Sequence, residues 1–145
     1  MSTITSATQL AELWEKTYNY SKTPDWSFLL PYYAEEITFR DSVQELHGLT
    51  EFKEMIVRLA GRSQDLKMKI INAVMNDSVV FLEWEMSIVF KKRPRSIIYG
   101  STRIALNSEG KIVNQRDYYD LWGDIFDNIP VWGKTYRKFM KKKFG

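Results

Sequence analysis

The spacing of apolar residues changes once along this chain, near residue 65, from the period of a helix to the period of a strand. Before the change, Leu10, Leu13, Trp14, Thr17 and Tyr18 recur at i, i+3, i+4, i+7 and i+8. That spacing predicts an amphipathic helix over 6–20. Thr23-Pro24 offers an N-cap followed by a proline at the first helical position, so a short second helix is expected on Trp26, Leu29 and Leu30. Pro31 should kink or stop it. Residues 36–41 alternate as a first strand, and 42–48 hold a turn with a short pairing strand. Thr50 opens a third helix carried by Phe52, Met55, Ile56 and Leu59, and Gly61 is expected to close it. After the change, 66–74, 79–90, 96–106 and 111–122 read as strands. Turns fall at 91–95 and 107–110. Residues 124–130 read as irregular, and Tyr136, Phe139 and Met140 as a terminal helical turn.

Helices first and hairpin strands after them define an α+β fold. The expected architecture is a cone-shaped, curved antiparallel sheet packed against about three N-terminal helices. Such a sheet leaves an internal pocket between its concave face and the helices. There is no repeat and no linker composition, so one domain is expected over 1–145, with a basic tail from about 134.

Composition narrows the function. The aromatic share of 14%, with five Trp and eight Tyr, exceeds what packing a small core needs. The net charge of +3 is uneven: six of the 21 basic residues lie after position 133, and without them 15 basic residues face 18 acidic ones. The body is therefore acidic, and neither a nucleic-acid partner nor a membrane is expected. The 91–95 turn and the lysine-rich end are read as solvated. No Cys and a single His, His47, exclude thiol chemistry and a histidine metal cluster. No run approaches the length of a membrane span and the start lacks an apolar leader core, so a cytoplasmic location is expected.

Strand parity selects the candidate acid. Val113, Gln115, Asp117, Tyr119 and Leu121 share one face of the last strand, and Arg116, Tyr118 and Asp120 the other. With Val113 and Leu121 inward, Asp117 and Tyr119 enter the pocket. A carboxyl there would be desolvated and its pKa raised, as a general acid or base requires. The competing reading ties Asp117 to Arg103 or Arg116. Asp41 ends a strand, where an aspartate either caps its own turn or reaches the pocket. Tyr18 lies on the apolar face of the first helix, as a core residue or as a hydroxyl able to steady a developing charge. On the same parity Trp84 faces inward with Leu82 and Met86, while Glu83 and Glu85 face outward. His47 is expected on an exposed loop.

Glu109–Ile112 followed by Gln115-Arg116-Asp117-Tyr118-Tyr119-Asp120 resembles the last strand of SnoaL-like proteins, of the nuclear-transport-factor-like superfamily. That group includes limonene epoxide hydrolase, ketosteroid isomerase and polyketide cyclases. Residues 32–41, 48–59, 99–101 and 129–133 resemble the corresponding family segments. The resemblance implies a small-molecule pocket and often a homodimer. It implies Asp117 in the place of the hydrolase's water-activating aspartate, and the cyclases of the group also rely on an aspartate base. Asp41 falls at the isomerase's general base, and Tyr18 or Thr17 at its oxyanion tyrosine. Two positions depart: Thr102 stands where the isomerase has a second acid, and Glu83 where the hydrolase has arginine.

Two functions of the pocket stay open, beside a third reading of the chain as a protein-partner adaptor that uses the basic tail. One is a cofactor-independent isomerase, cyclase or epoxide hydrolase acting on an apolar lipid-like, isoprenoid, steroid or polyketide substrate. Asp117, Asp41 and Tyr18 would be catalytic, with Trp14, Trp84, Thr102 and Tyr119 contacting the substrate and no metal involved. The other is a non-catalytic ligand-binding or dimeric scaffold module using the same pocket.

Overall fold

The computed structural model describes residues 2–91 and 95–145; Lys92, Arg93 and Pro94, the middle of the expected 91–95 turn, lie outside the described residues. Helix α1 spans Ala7–Asn19, and the Ser6 side chain caps it by accepting from the Gln9 amide at 3.1 Å. Its buried face is Leu10, Trp14, Thr17 and Tyr18, four of the five residues the spacing selected.

The expected second α-helix is instead two 3-10 turns, Trp26–Phe28 and Leu30–Tyr32. Asp25, not Thr23, caps the first, accepting from the Ser27 amide at 3.0 Å. Pro31, at the start of the second, has no N–H to carry an α-helical ladder through.

Strand β1 (Tyr33–Arg40) begins before the expected Glu36 and pairs with the short β2 (Glu45–His47). Helix α2 (Leu49–Arg62) follows Gly48, whose φ of +88° is a backbone region that glycine reaches without steric cost. Gly61 does not close this helix, which continues to Arg62 before Ser63 turns extended. Strands β3 (Ser63–Asn76), β4 (Val79–Phe90) and β5 (Ser96–Leu106) follow. Strand β6 (Ile112–Tyr119) stops before Trp122, and a π-helical turn over Leu121–Ile125 replaces its expected end. Helix α3 occupies Trp132–Phe144, much longer than a single terminal turn.

The six strands form one curved sheet in the order β2-β1-β6-β5-β4-β3. Every pair is antiparallel except β1 and β6, which run parallel. The sheet does not close into a barrel, because β2 and β3 remain edges. Helix α1 covers part of the β3 edge with polar side chains. Asn19 accepts from the Met68 amide at 2.9 Å and donates to its carbonyl at 2.6 Å, and Glu15 accepts from the Ile70 amide at 2.7 Å.

Alternation along β4 buries Val80, Leu82, Trp84 and Ile88 while Phe81 and Glu83 face out. In β5 Ile98, Thr102 and Ile104 face in, and Ile97 and Tyr99 face out. The inward rows join the buried faces of α1 and α2 in one apolar cluster.

Candidate functional site

Between the inner face of the sheet and helices α1 and α2 lies a cavity of about 270 Å³. Every residue assigned a catalytic or substrate-contacting part from the sequence borders it: Asp117, Asp41, Tyr18, Trp14, Trp84, Thr102 and Tyr119. A linked set of rings forms much of its wall. Tyr18 meets Trp26 edge-on at 5.6 Å, Trp26 meets Phe52 at 5.7 Å, and Phe39 lies 5.5 Å from Phe52. Methionines 55, 68 and 86 complete an adaptable apolar lining. A wider depression of about 610 Å³ lies elsewhere, along Pro31, Glu35, Lys53 and Lys111, and holds none of the candidates.

Asp117 enters the cavity from β6, opposite Thr102 of β5 in the strand register. Thr102 donates to its Oδ1 at 2.7 Å, and the Gln115 amide nitrogen donates to the same oxygen at 3.1 Å. Among the described residues no side-chain hydrogen bond engages Oδ2. Each donor is itself oriented from behind. The Trp84 indole N–H donates to the Thr102 hydroxyl oxygen at 2.8 Å, which turns the hydroxyl proton toward Asp117. The Tyr33 hydroxyl donates to Gln115 Oε1 at 2.5 Å, which turns that amide's NH2 toward Asp117. Thr102 and Gln115 are almost fully buried, while the part of Asp117 that remains accessible opens on the cavity.

Burial raises the Asp117 pKa from 3.8 to about 6; the Thr102 and Gln115 hydrogen bonds oppose that rise, and the charge of Asp41 adds to it. The competing expectation, an ion pair with Arg103 or Arg116, is not what the structure builds: Arg103 donates to Asn114 at 3.1 Å, and Arg116 lies over the Tyr118 ring on the outer face.

Asp41 lines the cavity but is also a turn cap. Its Oδ1 accepts from the amides of Val43 and Gln44 at 2.8 and 2.9 Å, and its Oδ2 accepts from the Tyr119 hydroxyl at 3.2 Å. Both of its oxygens are therefore engaged. Burial, with the charge of Asp117 as a smaller cause, pushes the Tyr18 hydroxyl far above its ordinary value, so it stays protonated at any physiological pH. Burial and Asp41 do the same to Tyr119. Trp14 packs against Tyr18, and its indole nitrogen is the one buried side-chain polar atom without a partner among the described residues.

Glu83 is exposed and accepts from Asn72 at 2.6 Å, away from the cavity, as its parity predicts. His47 ends β2 instead of lying on a loop, and it faces solvent beside Glu45. Among the described residues no three His, Cys, Asp or Glu side chains gather to hold a metal ion.

Sequence reasoning did not nominate Gln115 or Tyr33. Gln115 had a signal: it is a polar residue on the same inward row as Asp117. Tyr33 had none of its own, because its partner lies on a distant strand.

The open curved sheet, its covering helices and the enclosed acid define a protein of the nuclear-transport-factor-like fold. Residues 14–115 match the SnoaL-like domain, and the chain belongs to that family. Three solved structures illustrate the likeness. An LEH-like epoxide hydrolase of M. tuberculosis superposes with a TM-score of 0.66 at 16% identity, over 91% of this chain and 97% of that one. A protein of ketosteroid isomerase-like fold from Catenulispora acidiphila gives 0.69 at 15%, over 89% and 95%. An NTF2-like protein from Exiguobacterium sp. 255-15 gives 0.67 at 22%, over 75% and 96%. Likeness at these identities establishes the fold and leaves the reaction to the site. Comparison with curated protein sequences returns no match.

Proposed function

We propose that this chain is a cofactor-independent proton-transfer catalyst for a small, largely apolar carbonyl compound, with Asp117 as the base. The observation that carries this reading is the asymmetry of the Asp117 carboxylate. One oxygen is held by Thr102 and Gln115, and the other is left to the cavity. A pKa of about 6 gives a group that is mostly ionised at neutral pH and can still return the proton it takes. Oδ2 would remove a proton from the carbon beside the carbonyl, and the bonding electron pair would move onto the carbonyl oxygen. The Tyr18 hydroxyl, kept protonated by burial, would donate a hydrogen bond to that oxygen. Return of the proton at another carbon completes an isomerisation. Attack of the carbanion on a second carbonyl of the same molecule, with that carbonyl's π pair moving to its oxygen and the proton passing to it from Asp117, completes a ring closure.

Epoxide opening is less well served. It needs a second acid for the departing oxygen, and both oxygens of Asp41 already accept hydrogen bonds. Asp41 is assigned a supporting part: its charge keeps the Asp117 pKa up, and it holds the Tyr119 hydroxyl. The cavity is slightly below the roughly 300–1,000 Å³ of common small-molecule sites, which favours the small end of the expected ligand range.

The test measures thermal stabilisation by a panel of small apolar ketones, for wild type and Asp117→Asn, and then turnover of each binder. The reading expects binders that wild type converts and Asp117→Asn does not. Ligands held equally by both proteins, with no turnover by either, would make the chain a carrier and remove the catalytic assignment.

A further inference from the structure

The cavity leaves α3 unexplained. The helix carries Lys134, Arg137, Lys138, Lys141, Lys142 and Lys143 and no acidic residue. Trp132, Tyr136, Phe139 and Met140 recur at i, i+4, i+7 and i+8, so the apolar residues form a stripe beside Lys134, Arg137, Lys138, Lys141 and Lys142, and Lys143 ends that stripe four residues after Phe139. The sequence alone left this segment as a solvated end, but a regular helix gives its side chains two distinct sides.

Only the first half of α3 is anchored. Gly133 lies against the Asp127 backbone, Arg137 pairs with Asp127 at 3.1 Å, and the Tyr136 ring stacks on Trp122 at 5.0 Å. Beyond these contacts Met140 is half-buried, while four apolar side chains stand largely in water. Trp132 is 52% exposed, Phe139 54%, Phe144 78% and Val131, just before the helix, 81%. Neighbouring Trp122 adds a further ring at 44%. Trp122 belongs to the π-helical turn whose Leu121 and Ile125 line the cavity, so the exposed patch adjoins the cavity wall.

We propose that α3 docks on an anionic lipid bilayer, with Trp132 and Phe139 entering the interface and the lysines meeting lipid phosphates. Short basic helices with aromatic apolar faces partition into bilayer interfaces in this way, and lysine stems reach back to the headgroups. Charge selects this occupant over the others. A second copy of α3 would bring like charges together, since the helix has no acid to pair with them. A duplex nucleic-acid backbone would take the lysines but leave Trp132, Phe139 and Phe144 in water. Docking would set the Leu121–Ile125 wall of the cavity near the membrane, where an apolar ligand of the proposed kind concentrates. The docking itself does not depend on that ligand or on Asp117.

The experiment is co-sedimentation of the full chain with phosphatidylcholine vesicles, alone or with about one-third phosphatidylserine. The expected result is binding to the anionic vesicles only, weakening as salt rises. Each lysine near such a surface is worth about fivefold in partitioning, so the triple variant K141E/K142E/K143E should lose at least about a hundredfold. Trp132→Ser with Phe139→Ser should also abolish sedimentation. Because Trp132 and Phe139 are half exposed and the three lysines exposed, melting temperatures should stay within a few degrees of wild type, which separates docking from folding. Equal binding to both vesicle types, no sedimentation with either, or variants that bind as wild type would overturn the proposal. So would retention by duplex DNA, or a dimer disrupted by these substitutions, without vesicle binding.

Discussion

Asp117→Asn should make the protein more stable while removing its base. The carboxyl titrates near 3.8 in an unfolded chain and near 6 in the cavity, mainly because burial disfavours its charged form. Between those values the folded state holds more protons than the unfolded state, so stability falls as pH rises through the window. The ionised carboxylate therefore costs about 3 kcal/mol above pH 6 and nothing well below pH 3.8, at about 1.4 kcal/mol per unit. Asparagine keeps an oxygen for Thr102 and Gln115 to donate to and never ionises. At pH 7.5 the variant should gain up to about 3 kcal/mol, or roughly 10 °C in melting temperature for a chain of this size. The gain should shrink through pH 6 to 4 and vanish below. Urea denaturation of both proteins across pH 3.5–8 reads the difference directly. A variant as stable as wild type or less so at pH 7.5, or a difference independent of pH, would refute the claim that a desolvated carboxylate sits in this cavity.

Three further substitutions test the surroundings of that carboxyl. Thr102→Val removes a donor to Asp117 and orphans the Trp84 N–H; it should cost about 1–3 kcal/mol in urea denaturation and move the acidic limb of any pH–rate profile above 6. Tyr33→Phe frees the Gln115 amide to reverse, which would aim its oxygen at Asp117; the Asp117 pKa, followed by NMR titration, should rise while the fold persists. Gly100→Ala would place a methyl 2.5 Å from the Trp84 ring and 2.7 Å from the Tyr118 carbonyl, so it should destabilise by about 1–3 kcal/mol or more and a neutral result would mean the ring is not held there.

Local periodicity gave β4 and β5 to the residue, because an inward row of apolar side chains is a direct consequence of pleating. Where an element rests on something other than alternation, the reading was less exact. The 3-10 turns at 26–32 are too short to show a helical period. The end of β6 depends on Asp120, whose side chain accepts from the Gly123 amide at 2.8 Å and turns the chain into the π-helical segment. The parallel pairing of β1 with β6 is a contact between distant parts of the chain, which spacing along one segment does not encode.

Of the two residues that anchored the placement of Asp117, Leu121 does line the cavity, but Val113 falls in a bulge. Ile112 and Gln115 are both buried, so strict alternation does not hold across β6. Leu106 faces Ile112 and Ala105 faces Asn114, which leaves Val113 as the extra residue of a bulge. Counting inward positions from Ile112 would have turned Asp117 to solvent. Counting through Gln115 and Tyr119 places it correctly, because the pleat is regular from Asn114 onward. The more secure signal lies across the strands. Thr102 interrupts the apolar inward row of β5 directly opposite Asp117. Two polar residues facing each other in an otherwise apolar wall satisfy one another only if both point inward, since burying either alone would cost about 1–3 kcal/mol or more. Their pairing marks the site independently of where the bulge falls.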